Sequence, residues 1–489
     1  MKATKIFMMA ALALTFAACS NDDNDIAQQP DNNEITITAT VSSDDATTRA
    51  LSIDGSNIAS TWEADDQFAI LFNDGSSNVK RIATVVAPIS GSTVTITFTI
   101  PASLASNTPC TIVYPASAAK ADNSGADVAT ALAAQDGTIG NCPEVRVGTA
   151  TIDKDNHSLS DVTKLAAQNA IFKFTLKDIA GTSNKSATEF KVSDDSGNVI
   201  TTVTPGSATS ELYVALPTMA AGTYWFNATV ESDSKPYPYI AKATVSTATT
   251  TGTYYQTTVK MATIGDVILS NGKFAAKGTD NGQAVIAYVG TVDNYFSHFL
   301  ALALTDVDGD KHNWADALTK VGNYAAAHPV TIGSTTYNTS TTGNTYYDKV
   351  ASDKTTSSAT ATAKQTGWRL PSVTDWRYVF DGLGRIKGGL ALYNKKTDLY
   401  LFPTIPLGVS DGMTYRDGDN GSSLQNAINN ACNTALQSGV EALYWSSSKY
   451  TDTSYAWFYV WNYSFVNGNF YYGRNEYDTF RYSRAVFAY

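Results

Sequence analysis

Ala170-Ile171-Phe172-Lys173-Phe174-Thr175-Leu176 is the stretch on which the fold turns. It combines β-branched and aromatic residues with no proline or glycine, which suits an extended strand better than a helix. Outward from it, Leu212-Tyr213-Val214-Ala215-Leu216 has the same character. Apolar residues alternate with polar ones at Ile35, Ile37, Ala39 and Val41, and again at Val94, Ile96, Phe98 and Ile100. A period of two marks strands with one buried face. Long helical patterns are nearly absent before residue 310, so the first half is predicted to be a pair of β-sandwich domains with breaks near 155–165 and near Ala262.

From Gly265 the pattern changes. Gly265-Asp266-Val267-Ile268-Leu269-Ser270-Asn271-Gly272-Lys273-Phe274 reads as strand, turn, strand, with Asn-Gly at the turn. Trp314, Leu318 and Val321 recur at helical spacing and predict one helix. Ser372 and Asp375 form a capping-box pattern at the start of a second, with Val373, Trp376 and Phe380 on one side. A third helix is predicted over roughly Leu424 to Leu436, and the Ser/Thr-rich stretch Thr331–Thr366 is predicted to be an irregular insertion.

The first residues carry Lys2 and Lys5, then an apolar run from Ile6 to Ala18, about a dozen residues, too short for a bilayer span. Thr15-Phe16-Ala17-Ala18-Cys19 resembles a lipobox, which makes residues 1–18 a lipoprotein signal peptide, Cys19 the lipidated residue and 19–33 a polar tether. The acidic run Asp22-Asp23-Asn24-Asp25 resembles a surface-export signal, so the expected location is the cell surface, as an outer-membrane lipoprotein. The net charge of −11 becomes about −13 without Lys2 and Lys5 and repels nucleic acid. Cys110, Cys142 and Cys432 are too few and too scattered for a disulfide scaffold. A Cys110–Cys142 bridge stays open, and Cys432 is expected to be a buried free thiol.

Between Tyr444 and Tyr489, eighteen of 46 residues are aromatic, against 11% of the whole chain, so packing alone does not account for them. Trp445, Trp457, Phe465, Val486 and Phe487 stand in strand-like contexts that suit a core. The others keep polar company: Thr451, Asp452, Thr453, Ser454 and Tyr455; Phe458 and Tyr459; Tyr463 and Ser464; Asn469, Tyr471, Tyr472, Arg474 and Asn475; Tyr477, Asp478, Thr479 and Phe480. Tyrosine gives large contact area at low entropy cost and small polar residues adapt their hydrogen bonds, so these eighteen positions are the candidate ligand-binding residues.

Two resemblances follow. Thr47-Thr48-Arg49-Ala50, Thr61-Trp62-Glu63-Ala64-Asp65-Asp66-Gln67-Phe68-Ala69-Ile70, Ile112-Val113-Tyr114-Pro115, Leu165–Phe174 and Leu216-Pro217 together make the first half resemble fimbrillin-like proteins, the subunits of type V pili. That likeness implies proteolytic processing at Arg49, which removes the first strand, and partnership with other pilus subunits by strand addition. The second half carries Gly367-Trp368-Arg369-Leu370-Pro371, a Trp-bearing helix, Tyr444-Trp445-Ser446-Ser447-Ser448 and Ser483-Arg484-Ala485-Val486-Phe487-Ala488-Tyr489, and it resembles a bacterial C-type-lectin-like fold. Within that group it is similar to the variable proteins of diversity-generating retroelements, whose rewritten positions form a solvent-facing surface.

The expected fold class is therefore mainly β with a C-terminal α+β domain: fimbrillin-like β domains at 34–160 and 161–262, and a C-type-lectin-like domain at 263–489 with a variable-type tail at 451–481. The implied role is a pilus-tip adhesin for a protein or glycan ligand, because the final segment folds into the lectin-like domain and is not free to be donated. The alternative is a stand-alone lipoprotein that captures polysaccharide. Neither reading includes a cofactor, a metal or an enzyme. The related oxidases need a cysteine pair, and this domain has Cys432 alone. Asp306-Val307-Asp308-Gly309-Asp310 lacks EF-hand spacing and is expected to be a solvated acidic turn. His157, His298, His312 and His328 show no ligand spacing, and no carboxylate pair suggests glycan hydrolysis.

Overall fold

The computed structural model describes residues 34–43, 52–54, 57–59, 62–90, 92–232, 235–292, 296–340, 348–350, 357–359, 366–383, 392–394, 399–400, 413–415, 422–432, 443–450, 459–464, 469–473 and 481–489. The chain is mainly β, with helical secondary structure concentrated after residue 310. Cys19 and Arg49 lie outside the described residues.

The first sheet runs in the spatial order Glu34–Ser42, Thr93–Pro101, Asn78–Ser90, Gln67–Asn73, Thr108–Tyr114, Arg146–Asp153, Ser158–Ser160, with Ala166–Ala167 also on Arg146–Asp153. All its neighbours are antiparallel. Alternation sends Ile37, Ala39 and Val41 into a core with Phe68, Ile70, Ile96, Phe98, Ile112 and Ile152, while Thr36, Thr38 and Thr40 stay exposed. The sheet closes on itself through its first strand: Thr38 N–H donates to the His157 carbonyl at 3.1 Å and Leu165 N–H to the Ser42 carbonyl at 2.7 Å.

The second sheet is ordered Glu211–Pro217, Asn169–Asp178, Tyr254–Thr263, Lys235–Val245, Gly222–Ser232, Ala187–Asp194, Val199–Val203, Ala134–Gln135. It folds over one core, with Phe172, Phe174, Val214 and Met261 on one side meeting Phe190, Val192, Phe226 and Ala241 on the other. Ala134–Gln135 arrives from the chain of the first sheet and pairs in parallel with Thr202 and Val203. The buried Gln135 amide then bridges to the opposite edge. It accepts from Ala215 N–H (2.8 Å) and donates to the Ala215 carbonyl (2.7 Å), the Leu132 carbonyl (2.9 Å) and Thr201 Oγ1 (3.0 Å). A second shared core, including Ala69, Leu71, Val113, Leu132, Cys142, Ile171 and Ala215, joins the two β units.

The third unit is built on a six-stranded sheet, Phe274–Ala275, Val267–Leu269, Gly282–Val289, Phe299–Ala303, Val486–Ala488, Gly367–Arg369. The predicted hairpin forms: Val267 and Ile268 pair with Ala275 and Phe274, and Gly272 takes the positive φ of +67° that the turn needs. One helix, Trp314–Ala327, covers one face with Ala317, Val321, Tyr324 and Ala325. Two others, Val373–Leu383 and Ser422–Ala431, cover the opposite face with Trp376, Val379, Leu383 and Ile428. The last of these starts two residues before the expected Leu424. The Ser/Thr-rich stretch opens with a hairpin, Val330–Ile332 against Thr335–Tyr337, instead of irregular chain.

Cys110 and Cys142 are free and buried in different cores, so the bridge left open by the sequence does not form. Cys432 is free and half-buried, packed against the core on the Val373–Leu383 side.

Candidate ligand-binding face

The motifs that flank the aromatic tail are core residues, and the polar groups they bury are paired except for Ser483 Oγ. Trp368, Trp376 and Trp445 are fully buried. Their indole N–H groups donate to the carbonyls of His328 (2.9 Å), Trp445 (3.1 Å) and His312 (2.7 Å) respectively. Arg369 makes a two-pronged contact to Asp375, Nε to Oδ2 at 2.9 Å and Nη2 to Oδ1 at 2.6 Å, with both side chains out of solvent. The predicted capping box is present around the same carboxylate: Ser372 N–H donates to Asp375 Oδ2 and Asp375 N–H to Ser372 Oγ. The fork, the cap and Trp376 fix the helix start against the strand that leads into the tail.

The acidic run is solvated from Asp308 to Asp310, as expected, but Asp306 is not. Asp306 is withdrawn from solvent and accepts from Arg484 Nε at 2.7 Å and from Tyr444 Oη at 3.0 Å. Arg484 is fully buried, and a buried guanidinium requires a counter-charge. Asp308 takes His312 Nε2 at 2.7 Å and Lys320 Nζ at 3.0 Å. Burial raises its carboxyl pKa, but these two hydrogen bonds outweigh burial and hold it below the ordinary value.

Between these anchors the tail enters an eight-stranded sheet ordered Ser357–Ala359, Asp348–Val350, Leu443–Tyr450, Tyr459–Ser464, Asn469–Gly473, Met413–Tyr415, Leu392–Asn394, Leu399–Tyr400. Its three central strands pair antiparallel. Tyr463 lies in register with Tyr444 on one side and Phe470 on the other, and Asn462 with Trp445 and Tyr471. Ser446, Ser447 and Ser448 stand opposite the single residue Trp461, a register break where the strand leaves the buried Tyr444-Trp445 step.

Of the candidate residues, Tyr459, Tyr463, Ser464, Asn469, Tyr471 and Tyr472 fall on these adjoining strands. Thr451, Asp452, Thr453, Ser454, Tyr455, Phe458, Arg474, Asn475, Tyr477, Asp478, Thr479 and Phe480 lie outside the described residues. The six described positions come together as backbone neighbours, held at both ends by the buried anchors.

Sequence reasoning missed the seat of this unit. Trp225, on the strand Gly222–Ser232, turns away from its own sheet's core into that of the C-terminal unit. It stacks on His298 with centroids 4.2 Å apart and donates its indole N–H to Asp195 Oδ1 at 2.9 Å. Tyr489 Oη reaches both Asp195 oxygens at 3.0 Å, and its carbonyl accepts from the N–H groups of Ser297, His298 and Phe299. Burial raises the Tyr489 phenol well above its usual range, with the Asp195 charge adding to the effect. The available signal was the alternation itself: Phe226 and Ala228 face one core, so Trp225 had to face something else.

No family model matches the chain, and no curated protein does. Among solved structures it is similar to a Bacteroides uniformis protein proposed to act in cell adhesion, at 16% identity over 48% of this chain and 97% of that one, TM-score 0.27. A Bacteroides fragilis protein of the same description is similar at 15% identity over 49% and 95% of the two chains, TM-score 0.28. A fimbrial assembly protein of Parabacteroides distasonis is similar at 13% identity over 46% and 90%, TM-score 0.26.

Proposed function

We propose that the chain is a cell-surface adhesin of fimbrillin-like build, placed at the tip of a pilus, whose lectin-like C-terminal unit binds protein or glycan ligands through the aromatic and polar positions of its tail. The observation that carries this reading is the contrast between two strands. Glu34–Ser42 closes the first sheet from a position N-terminal to Arg49, so a cut there frees that strand and opens an apolar slot for a strand from a neighbouring subunit. Val486–Ala488 is paired on both sides inside the six-stranded sheet, with Tyr489 tied to Asp195. The first can be exchanged and the second cannot be donated, which suits a subunit that ends a fibre.

In this reading lipid at Cys19 delivers the protein to the outer membrane and cell surface, and the cut at Arg49 passes it to the pilus. Recognition needs no cofactor, metal or catalytic group. The test has two arms. The whole protein and a variant with Tyr459, Tyr463, Tyr471 and Tyr472 changed to Ser are compared on glycan and protein arrays, with melting temperature as the folding control. Loss or change of targets at unchanged stability supports the face, and identical targets overturn it. Co-purification with pilus subunits of chain lacking residues 1–49 supports the tip. Chain that keeps those residues and never meets a pilus subunit overturns it.

A further inference from the structure

Three neighbouring strands of the first sheet, Gln67–Asn73, Thr108–Tyr114 and Arg146–Asp153, change character along their outward faces. Ala69, Val113 and Val147 lie in register and belong to the core shared with the second β unit. Two residues along, Leu71 is still buried, but Thr111 opposite it is half-buried and Thr149 exposed. Two further on, exposed Pro109 stands opposite half-buried Thr151. Here the apolar cover gives way to a trough of about 500 Å³. One wall is the turn Asp122–Ser124, tied down by Asn78 Nδ2 to the Asp122 carbonyl at 3.4 Å and Asn123 Nδ2 to the Asn78 carbonyl at 3.3 Å. Asp161 lines it as well, and the chain there is fixed to the sheet by Thr163, whose N–H donates to the Thr149 carbonyl and whose Oγ1 accepts from Thr149 N–H, both at 2.8 Å. Asn123 and Asp161 hold left-handed backbone, φ +56° and +51°, which Asn and Asp adopt more readily than most residues. Thr111 Oγ1, Thr151 Oγ1 and the Asp161 carboxylate have no hydrogen-bond partner among the described residues, and the Asn123 amide oxygen is likewise unused.

We infer that this trough is a separate binding site for a neutral glycan, of mono- or disaccharide size. Sugar hydroxyls both donate and accept, and the unused hydroxyls, amide oxygen and carboxylate along the trough offer both roles. Pro109, with the edge of Leu71, gives apolar surface for the C–H face of a sugar ring. The volume falls within the roughly 300–1,000 Å³ of small-ligand sites. Among the described residues no Lys or Arg lines the trough and Asp161 does, so anionic sugars are repelled. The site stands apart from both parts of the adhesin reading. Glu34–Ser42 pairs with none of the three strands that carry it, and the aromatic tail belongs to another sheet.

The test uses the full chain with Tyr459, Tyr463, Tyr471 and Tyr472 changed to Ser, so that binding at the tail does not mask the trough. Maltose, lactose, mannobiose and chitobiose, with glucuronic acid as the anionic control, are titrated at millimolar concentrations while amide chemical shifts are followed. At least one neutral probe is expected to shift the amides of Thr111, Asn123 and Thr151 saturably, and glucuronic acid to leave them in place. Thr111→Val with Thr151→Val keeps the shape and removes both hydroxyls. It should weaken that probe about tenfold, the order of two neutral hydrogen bonds, at an unchanged melting temperature. Should the pair fold poorly, Thr151→Val alone should weaken it about threefold. Asp161→Asn should admit glucuronic acid. The absence of shifts at these amides with every probe, equal binding of glucuronic acid to the unaltered trough, or full affinity in the Val variants overturns the inference. Because the tail is disabled throughout, such a failure leaves the recognition reading of the tail standing, and failure of the array experiment leaves this site standing.

Discussion

Removing the strand Glu34–Ser42 is the perturbation that most directly tests how the first sheet works. Ile37 and Val41 are fully shielded from solvent and Ala39 nearly so. At about 1.5–3 kcal/mol for each large side chain and about 0.8 for a methyl, the burial these three side chains supply is worth roughly 4–7 kcal/mol. That figure is an upper bound, because the shortened chain no longer bears the conformational-entropy cost of ordering the strand. A domain holds about 5–15 kcal/mol in all, and at roughly 2–4 °C per kcal/mol its melting point should fall measurably, by up to about 25 °C. The assay compares the chain from residue 50 onward with the whole chain by calorimetry, then titrates the short form with a labelled Glu34–Ser42 peptide. Saturable binding with recovery of the melt is expected. A peptide carrying Ile37→Asp and Val41→Asp should do neither, because the slot offers those side chains no water. An unchanged melting point in the short form, or equal binding of the charged peptide, refutes the idea of a strand-shaped slot.

Three further substitutions test the packing that holds the units together. Gly382→Ala should destabilise the C-terminal unit by about 3 kcal/mol in urea unfolding, since its new methyl meets the Ala287 carbonyl and pushes the helix off the sheet. Gln135→Leu keeps the volume but strands the backbone N–H and carbonyl of Ala215, a loss of about 3 kcal/mol that should appear in both β units because the residue lies between them. Burial pushes the Lys242 ammonium down to about 8 from 10.5. Between those values the folded chain holds fewer protons than the unfolded chain, so this group makes stability rise as pH climbs from 8 to 10.5. Lys242→Met should raise stability at pH 7 and flatten that slope, and an unaltered slope would place its origin elsewhere.

The sequence exposed what depends on local period and missed what depends on distant partners. Ile37, Ala39 and Val41 alternate with exposed threonines because that strand has one dry face, and the Ser372–Asp375 box was readable because both partners lie within one turn. Asp306 was misread because charge beside glycine suggests water, whereas the group that buries it, Arg484, lies 178 positions away. The same holds for Ile171 and Trp225. Each is on a strand whose alternate residues fill the second β core, and each turns its other face to a different neighbour, Ile171 toward the first unit and Trp225 toward the third. Alternation separates Trp225 from the face of Phe226 and Ala228, but on a strand buried on both faces it does not say which domain receives each face. The candidate face was legible as composition alone, since its polar and aromatic residues signal contact without fixing register. The register becomes clear only when Tyr463 is seen between Tyr444 and Phe470.

Those double-faced strands also connect the two ends of the proposed mechanism. The slot sits in the first sheet and the candidate face in the third unit, and the second sheet is built into both. Gln135 and the core around Ile171 splice it to the first. Trp225, with Asp195, His298 and Tyr489, splices it to the third. Flexible linkers would let a recognition face swing independently of its attachment, but each of these joints is a packed core reinforced by buried hydrogen bonds, and such joints resist reorientation. A head seated this way keeps one orientation relative to the strand that anchors it. Trp225→Ala removes the central ring of the second joint, so it should loosen the third unit while leaving the slot and its peptide affinity unchanged. Small-angle scattering of the variant should then show a broader range of head positions. If the scattering stays identical, the joint depends on other contacts and Trp225 is only packing.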